Sequence, residues 1–302
     1  MLAEAATRAL RCTVACGGQA RVLVTESRFV TGLGRSHPVE NGFAWHPTLG
    51  VPYLPGSSIK GMVRAWAERE APPNAELAHL FGPRGAGHAV GDLIFLDAIP
   101  LAPVRLEIDV LTPHYAGWTR DDLPGDWRAP VPVPFLVVAP QVRFLFAIQS
   151  RRRDASAIAR AVAWLIAAAW DAGAGAKTAV GYGRFALDPE ETDKRQRANE
   201  RERSARAAQL RRATLEHSAR GRWQLALEPL AERDVLDRVR LRLEETSGDL
   251  EDRLAFAHAV CQLPYFADWL RGKVHDRTIR TSPDKIKARA RALASLAAQK
   301  AV

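Results

Sequence analysis

Cysteine and methionine are scarce in this chain of 302 residues, which holds three Cys and two Met. Cys12, Cys16 and Cys261 cannot form an even disulfide framework, so a disulfide-built secreted scaffold is excluded and a reducing compartment, the cytoplasm, is expected. Cys12 and Cys16 stand as C-x3-C, yet no second Cys or His pair lies at a partner spacing, and no metal site or other cofactor is expected. Long apolar runs are missing too. The longest, Ala161–Trp170, is too short to cross a bilayer, and the opening MLAEAATRALRC lacks the uninterrupted apolar core of a signal peptide. Neither a membrane span nor a leader is expected. No D-x-D pair suggests a metal nuclease, and there is no internal repeat or low-complexity tract.

What is abundant is positive charge. Lys and Arg number 43 against 34 Asp and Glu, a formal net charge of +9, while 47% of residues are hydrophobic. That balance fits one large globular domain with an extension, or two small domains. The charge attracts nucleic acid or an acidic surface without choosing between them.

The richest stretch is residues 28–66, RFVTGLGRSHPVENGFAWHPTLGVPYLPGSSIKGMVRAW. Gly32 and Gly34 let a backbone pass close to a ligand or take positive φ. Gly56-Ser57-Ser58 after Pro55 opens a helix whose free N–H groups favour an anion. Lys60 and Arg64, four apart, share one helix face, while Ile59, Met62, Val63 and Trp66 can serve the core. On pattern alone, a capped amphipathic helix with two solvated bases explains the same residues.

Residues 173–183, GAGAKTAVGYG, have the glycine content of a phosphate-binding P-loop but fail its test. Ala176 stands where the motif needs Gly, and the loop leads from a helix into a strand, the reverse of P-loop order. Such a loop either stops the helix or lays backbone N–H groups against a phosphodiester chain, with Lys177 and Arg184 supplying charge. Composition leaves both open. His37, His46 and His114 sit near these segments, and one histidine against a 2′-hydroxyl is enough for an RNase. His37 precedes Pro38 and His114 follows Pro113, rigid settings where an imidazole serves the loop, so catalysis is not expected. Phe43, Trp45, Tyr53, Tyr115 and Trp118 lie in loops among basic residues, a layout that base stacking needs and that loop anchoring explains equally well.

Along the chain, residues 21–30 alternate as a strand, 57–70 form the first helix, and a Gly/Pro loop leads to strands at 91–100 and 105–111. The proline-rich 117–140 cannot be a central strand and reads as an insertion or edge-hugging loop. A strand at 142–150, a helix at 155–171 capped by Asp154 or Ser156, and a strand at 183–187 complete an α+β, ferredoxin-like (RRM-like) βαββαβ domain with insertions over residues 1–189. Residues 190–222, with ten Lys/Arg and six Asp/Glu, read as a charged helical linker. Residues 223–302 read as a helical, basic C-terminal extension. Its last 32 residues carry nine Lys/Arg against Asp276 and Asp284. Ile286, Ala290, Leu293 and Ala297 stand at helical spacing there.

GLG at 32–34, HPVENG at 37–42, GVPYLPGSSIKGMVR at 50–64, DVLTPHY at 109–115, PVPVPFLVV at 130–138 and GAKTAVGYGRF at 175–185 together resemble the RAMP superfamily of CRISPR proteins. Within it they resemble the sixth-subunit family of type III-B Cmr effector complexes, over about residues 20–188. The resemblance implies a non-catalytic, RNA-binding backbone subunit that caps the end holding the 3′ region of the guide. Its implied partners are guide RNA (crRNA), target RNA, other Cmr RAMP subunits and the small helical subunit. It also implies that Gly32, Gly34, Arg35, Ser57, Ser58, Lys60, Arg64, Lys177, Thr178, Gly181, Gly183 and Arg184 contact RNA. Some RAMP relatives process guide precursors as endoribonucleases, which is the alternative reading. The resemblance says nothing about residues beyond 189.

Overall fold

A computed structural model describes residues 1–36, 41–70, 75–84, 89–115, 130–244 and 249–299. The chain divides into two compact units, Met1–Asn199 and Glu200–Val302. Among the described residues no helix is long and apolar enough to cross a membrane.

The first unit is organised by an antiparallel sheet of β1 (Gln19–Thr25), β2 (Leu93–Phe95), β3 (Ile99–Pro100), β6 (Arg143–Ser150) and β7 (Phe185–Leu187). Its strands lie in the order β2-β6-β1-β7, with β3 also pairing β6. The central strand reads RFLFAIQS, almost continuously apolar, because both faces of the sheet are covered. Phe144, Phe146 and Ile148 point into one core with α2 (Gly56–Glu70), α3 (Ala75–Phe81) and α4 (Ala155–Asp171). Leu145 and Ala147, one residue out of step, point into a second core under α1 (Leu2–Ala15). α4 begins where Asp154 accepts hydrogen bonds from the N–H groups of Ser156 (2.9 Å) and Ala157 (3.1 Å).

Several elements differ from the sequence reading. The first helix is α1, not the segment at 57–70. Its buried face is Ala5, Ala6, Leu10 and Thr13, too small in side-chain bulk to stand out as an apolar stripe. α3 occupies part of the expected Gly/Pro loop, and β1 ends at Thr25 rather than residue 30. The expected strand at 91–100 is two short strands. The chain turns between them so that Asp97 Oδ1 accepts from Gly56 N–H at 2.7 Å. The expected strand at 105–111 stays out of the main sheet. As β4 (Leu106–Tyr115) it pairs only with β5 (Pro130–Val138) in a two-stranded ribbon anchored through Phe29 and Val138. So part of the proline-rich segment is a strand after all. Pro130, Pro132 and Pro134 recur every second residue, and a ribbon with a free edge tolerates prolines whose missing N–H groups would all face outward.

β7 is only three residues long, and α5 (Pro189–Glu216) finishes its work. On the edge of β1 beyond β7, Thr192 Oγ1 accepts from Val22 N–H at 2.9 Å, and Gln196 Nε2 donates to the Ala20 carbonyl at 3.4 Å. Two side chains thereby satisfy backbone groups that the short strand leaves unpaired. This is why the compact unit runs past residue 189.

The second unit is helical: α6 (Ala219–Leu227), α7 (Glu232–Glu244), α8 (Leu250–Cys261), the single turn α9 (Phe266–Trp269) and α10 (Pro283–Ala297). Leu227, Val235, Phe256, Val260 and Trp269 form its core, joined by Ile286, Ala290 and Leu293 of α10. The apolar stripe of the last helix is therefore consumed within its own unit.

Candidate nucleic-acid interface

Three sequence-distant segments of the first unit meet around an open groove of about 520 Å³. One wall is a face of α2, from Ser58 through Gly61, Met62, Ala65 and Trp66 to Arg69. The other is Thr31–Gly34 together with the loop Ala172–Thr178. Arg69 lies over the Trp66 ring at 4.7 Å, with Nη1 3.8 Å from Asp171 Oδ2 in an exposed pair, and closes one end with an aromatic and a cation.

Most glycines here answer to the protein's own packing. Gly175 at φ +87° and Gly183 at φ +73° sit so tightly that a Cβ would come within 2.2 Å of the Val30 carbonyl oxygen and 1.9 Å of the Ala174 carbonyl oxygen respectively. Gly32 at φ +74° packs on Ala44 in the same way. Among the glycines that line the groove, Gly34 and Gly61 are the exceptions, because a Cβ on either would meet nothing within 4 Å. A glycine inside a helix costs about 1 kcal/mol relative to alanine, so Gly61 gives up stability with no internal packing reason.

Of the predicted RNA contacts, the groove gathers Gly32, Gly34, Ser58 and Thr178. The others lie elsewhere. Lys60 and Arg64 occupy the opposite side of α2, since 100° per residue separates them from the Gly61–Ala65 face. Arg64 Nε is paired with Glu68 at 2.9 Å. The Lys60 ammonium is held below its usual value by burial first, then by Arg64 and Arg151. Lys177, in left-handed backbone at φ 58°, holds its ammonium over the rings of Phe135 (5.5 Å) and Tyr182 (5.8 Å). Arg184 Nη1 donates to the Trp170 carbonyl at 2.8 Å. Gly181 stands open at φ +94°, while Gly183 is buried. Arg35 and Ser57 are exposed outside the groove.

The expected anion site at the start of α2 is already filled. The Asp97 carboxylate takes the Gly56 N–H, and Ser58 and Ile59 donate to the Pro55 carbonyl. Gly56 is glycine because a Cβ would lie 2.2 Å from the Phe95 carbonyl oxygen.

The loop 173–183 is instead braced against the ribbon. Tyr182 donates to Asp109, which also pairs with Arg28 at 2.9 Å. The Tyr182 hydroxyl, then the Val110 N–H, hold the Asp109 carboxyl below its ordinary value. Burial, then Asp109, pushes the Tyr182 phenol up.

The histidine and aromatic candidates divide similarly. His46 accepts at Nδ1 from Thr48 N–H (3.4 Å) and Leu49 N–H (3.3 Å), a turn-holding role. His37 and Trp118, and the side chains of His114 and Tyr115, lie outside the described residues. Phe43 is buried and Tyr53 packs beside the α1 core, leaving Trp45 exposed. Trp66, read from the sequence as a core residue, lines the groove. Only its place in a helix beside Gly61 could have signalled this. His275-Asp276 is an HD dipeptide that the sequence reading passes over; His275 Nε2 lies 2.8 Å from Asp268 Oδ2, and Asp276 accepts from Thr278 N–H at 2.8 Å. Among the described residues no group of three or more His, Cys, Asp or Glu could hold a metal ion.

The family model of the RAMP superfamily matches residues 22–186. The CRISPR system Cmr subunit Cmr6 of Pyrococcus furiosus is 32% identical, with 53% of this chain and 65% of that protein covered. The corresponding Cmr6 of Saccharolobus solfataricus is 29% identical over 55% of this chain and 56% of that protein. The chain therefore spans less than two thirds of the length of these curated relatives. Among solved structures, a chain of the type III-B Cmr-β complex bound to cognate target RNA is 29% identical, covers 56% of this chain and 57% of its own, and superposes with a TM-score of 0.47.

Proposed function

The chain belongs to the RAMP superfamily, and from that premise we propose that it is an RNA-binding, non-catalytic subunit of a type III-B CRISPR (Cmr) effector complex. Its place is at the end of the assembly that holds the 3′ region of the guide, next to other RAMP subunits and the small helical subunit. The observation that carries this reading is the convergence of the GLG segment, α2 and the glycine-rich loop on one open groove. The names of the matched relatives supply the complex. The strand order β2-β6-β1-β7, with α2 following β1 and α4 following β6, supports a ferredoxin-like domain.

The groove suits a single strand. Gly34 and Gly61 let a sugar-phosphate backbone approach the protein backbone, Trp66 offers a ring for stacking, and Arg69 offers a charge. Contacts of this kind read shape and phosphate rather than sequence, as a subunit that must accept any spacer requires. The guide-processing alternative is less well supported, since His46 is engaged in its own turn.

Two measurements test the reading. RNA recovered with the chain from its own cells is expected to be repeat-derived guide, and its absence would sink the assignment. Trp66→Ala with Arg69→Ala in the full chain is expected to weaken single-stranded RNA binding by about 1–3 kcal/mol, the worth of one stacked base. Specific cleavage of RNA by the purified chain, with or without divalent metal, would promote the nuclease reading instead.

A further inference from the structure

The second unit carries a pocket of about 570 Å³ between the start of α7 and the loop that precedes α10. Arg233, Arg277 and Arg280 line it with Thr278, Thr281 and a single carboxylate, Asp237. Arg277 and Arg280 make no hydrogen bond or ion pair with any described residue. Arg233 faces Asp276, whose carboxyl is held low first by bonds from Thr278 and least by Arg233.

The loop is built rather than incidental. Glu232, 8% exposed at the start of α7, accepts from Trp269 Nε1 at 2.7 Å, from His275 N–H at 2.8 Å and from Asp276 N–H at 2.7 Å. Trp269 is itself 1% exposed, so the carboxylate ties the loop to the core of the unit. Asp276 then fixes the next turn by accepting from both the N–H (2.8 Å) and the hydroxyl (2.7 Å) of Thr278. Arg277 and Arg280 are thus carried on a backbone whose position is set before any ligand arrives.

We propose that this pocket binds the phosphodiester backbone of an RNA strand, a second contact separate from the groove of the first unit. The inference rests on the RNA-binding reading above. Arginine forks match phosphate oxygens two at a time, and the Thr281 hydroxyl adds a donor, that of Thr278 being given to Asp276. No aromatic residue lines the pocket, whereas the buried centre of a protein interface is depleted in charge and enriched in aromatics. The volume exceeds what one free anion needs. By sequence, residues 271–302, which contain this loop, carry nine Lys/Arg against two Asp, a balance that favours an anionic partner.

The test is a salt titration of the full chain with a fluorescent, unstructured RNA of mixed sequence, comparing wild type with the triple variant R233Q/R277Q/R280Q. All three arginines are exposed, so circular dichroism and the melting temperature should match wild type. Each phosphate contact contributes about −0.7 to the slope of log affinity against log salt, so loss of two or three should flatten it by about 1.4–2 and weaken binding roughly 30- to 100-fold at about 0.1 M salt. An unchanged slope with Trp66→Ala still weakening binding overturns this inference and leaves the RNA-binding reading intact. A wild-type chain that binds no RNA overturns both. Inorganic phosphate that raises the melting temperature of wild type but not of the variant, with RNA affinity equal, would make the pocket a free-anion site. Equal RNA affinity with loss of incorporation into the assembled complex would make it a protein contact. Either result sinks the proposal.

Discussion

The groove of the first unit is walled mostly by small residues, with Leu33, Leu54, Met62 and Trp66 and a single arginine, whereas the pocket of the second is ringed by three arginines and one aspartate. On the proposed reading the first would admit a strand by letting backbones come close, and the second would attract one by charge. Lys60 and Arg64 are singled out by their spacing, and Lys177 and Arg184 by their place at the glycine-rich loop, yet three of the four hold a carboxylate, aromatic faces or a carbonyl. The fourth, Lys60, has its charge disfavoured by burial and two neighbouring cations. The difference teaches that a basic side chain near a motif is weaker support for a phosphate site than a glycine with no packing duty.

The largest effect should come from a glycine that does have such a duty. In Gly183→Ala the added Cβ would lie 1.9 Å from the Ala174 carbonyl oxygen, at φ +73°. Left-handed strain and a backbone clash together should cost about 3 kcal/mol or more. Thermal unfolding should show the first unit melting lower, by about 6 °C or more. If the comparison holds, the groove contribution to RNA binding disappears while the arginine pocket keeps a residual, strongly salt-dependent affinity. A variant with wild-type melting behaviour would show that the loop can yield, and the packing argument for this glycine would fall.

How much of this was legible in the sequence follows the same division. α4 could be read because Asp154 caps it and apolar residues fill most of its length. The strand β6 could be read because both its faces are buried. α1 could not, since Leu10 is the one bulky apolar residue of its buried face. β5 could not, since its prolines argue against a central strand and nothing local reveals a free-edged ribbon. The groove was half legible. GLG and the loop at 173–183 were found as glycine clusters, but their meeting with the Gly61–Trp66 face of α2 is a tertiary fact. The pocket was invisible, because Glu232 and His275–Asp276 are joined only by folding.

A middle-sized effect isolates the glycine without a packing duty. Gly61→Ala should raise stability by about 0.5–1 kcal/mol, since alanine is the better helix former and its Cβ meets nothing within 4 Å. RNA affinity should fall in the same protein, because the methyl group projects into the groove. Stability and binding moving in opposite directions is the signature of a ligand-facing glycine. If both rise, or affinity stays unchanged, Gly61 does not face the RNA and the contrast between the two surfaces loses its main support.

The smallest effect concerns what holds the first unit together at its junction with α5. Asp188 accepts from Glu191 N–H at 3.0 Å and pairs with Arg143 Nε at 2.7 Å. The backbone bond first, then Arg143, keeps its carboxyl below the ordinary value of 3.8. A carboxyl depressed in the folded state stabilises the fold fully above that ordinary value, and the contribution is lost as pH falls through the depressed one. Asp188→Asn should therefore lower the melting temperature modestly at neutral pH and leave the gap between variant and wild type shrinking as the solution is taken below about pH 4. The pocket, whose guanidinium groups stay charged throughout this range, should keep its RNA salt slope in the variant. A gap that stays constant down to acid pH would mean the Asp188 carboxylate adds nothing to the closure of β7 on α5, and that Thr192 and Gln196 alone hold the edge of β1.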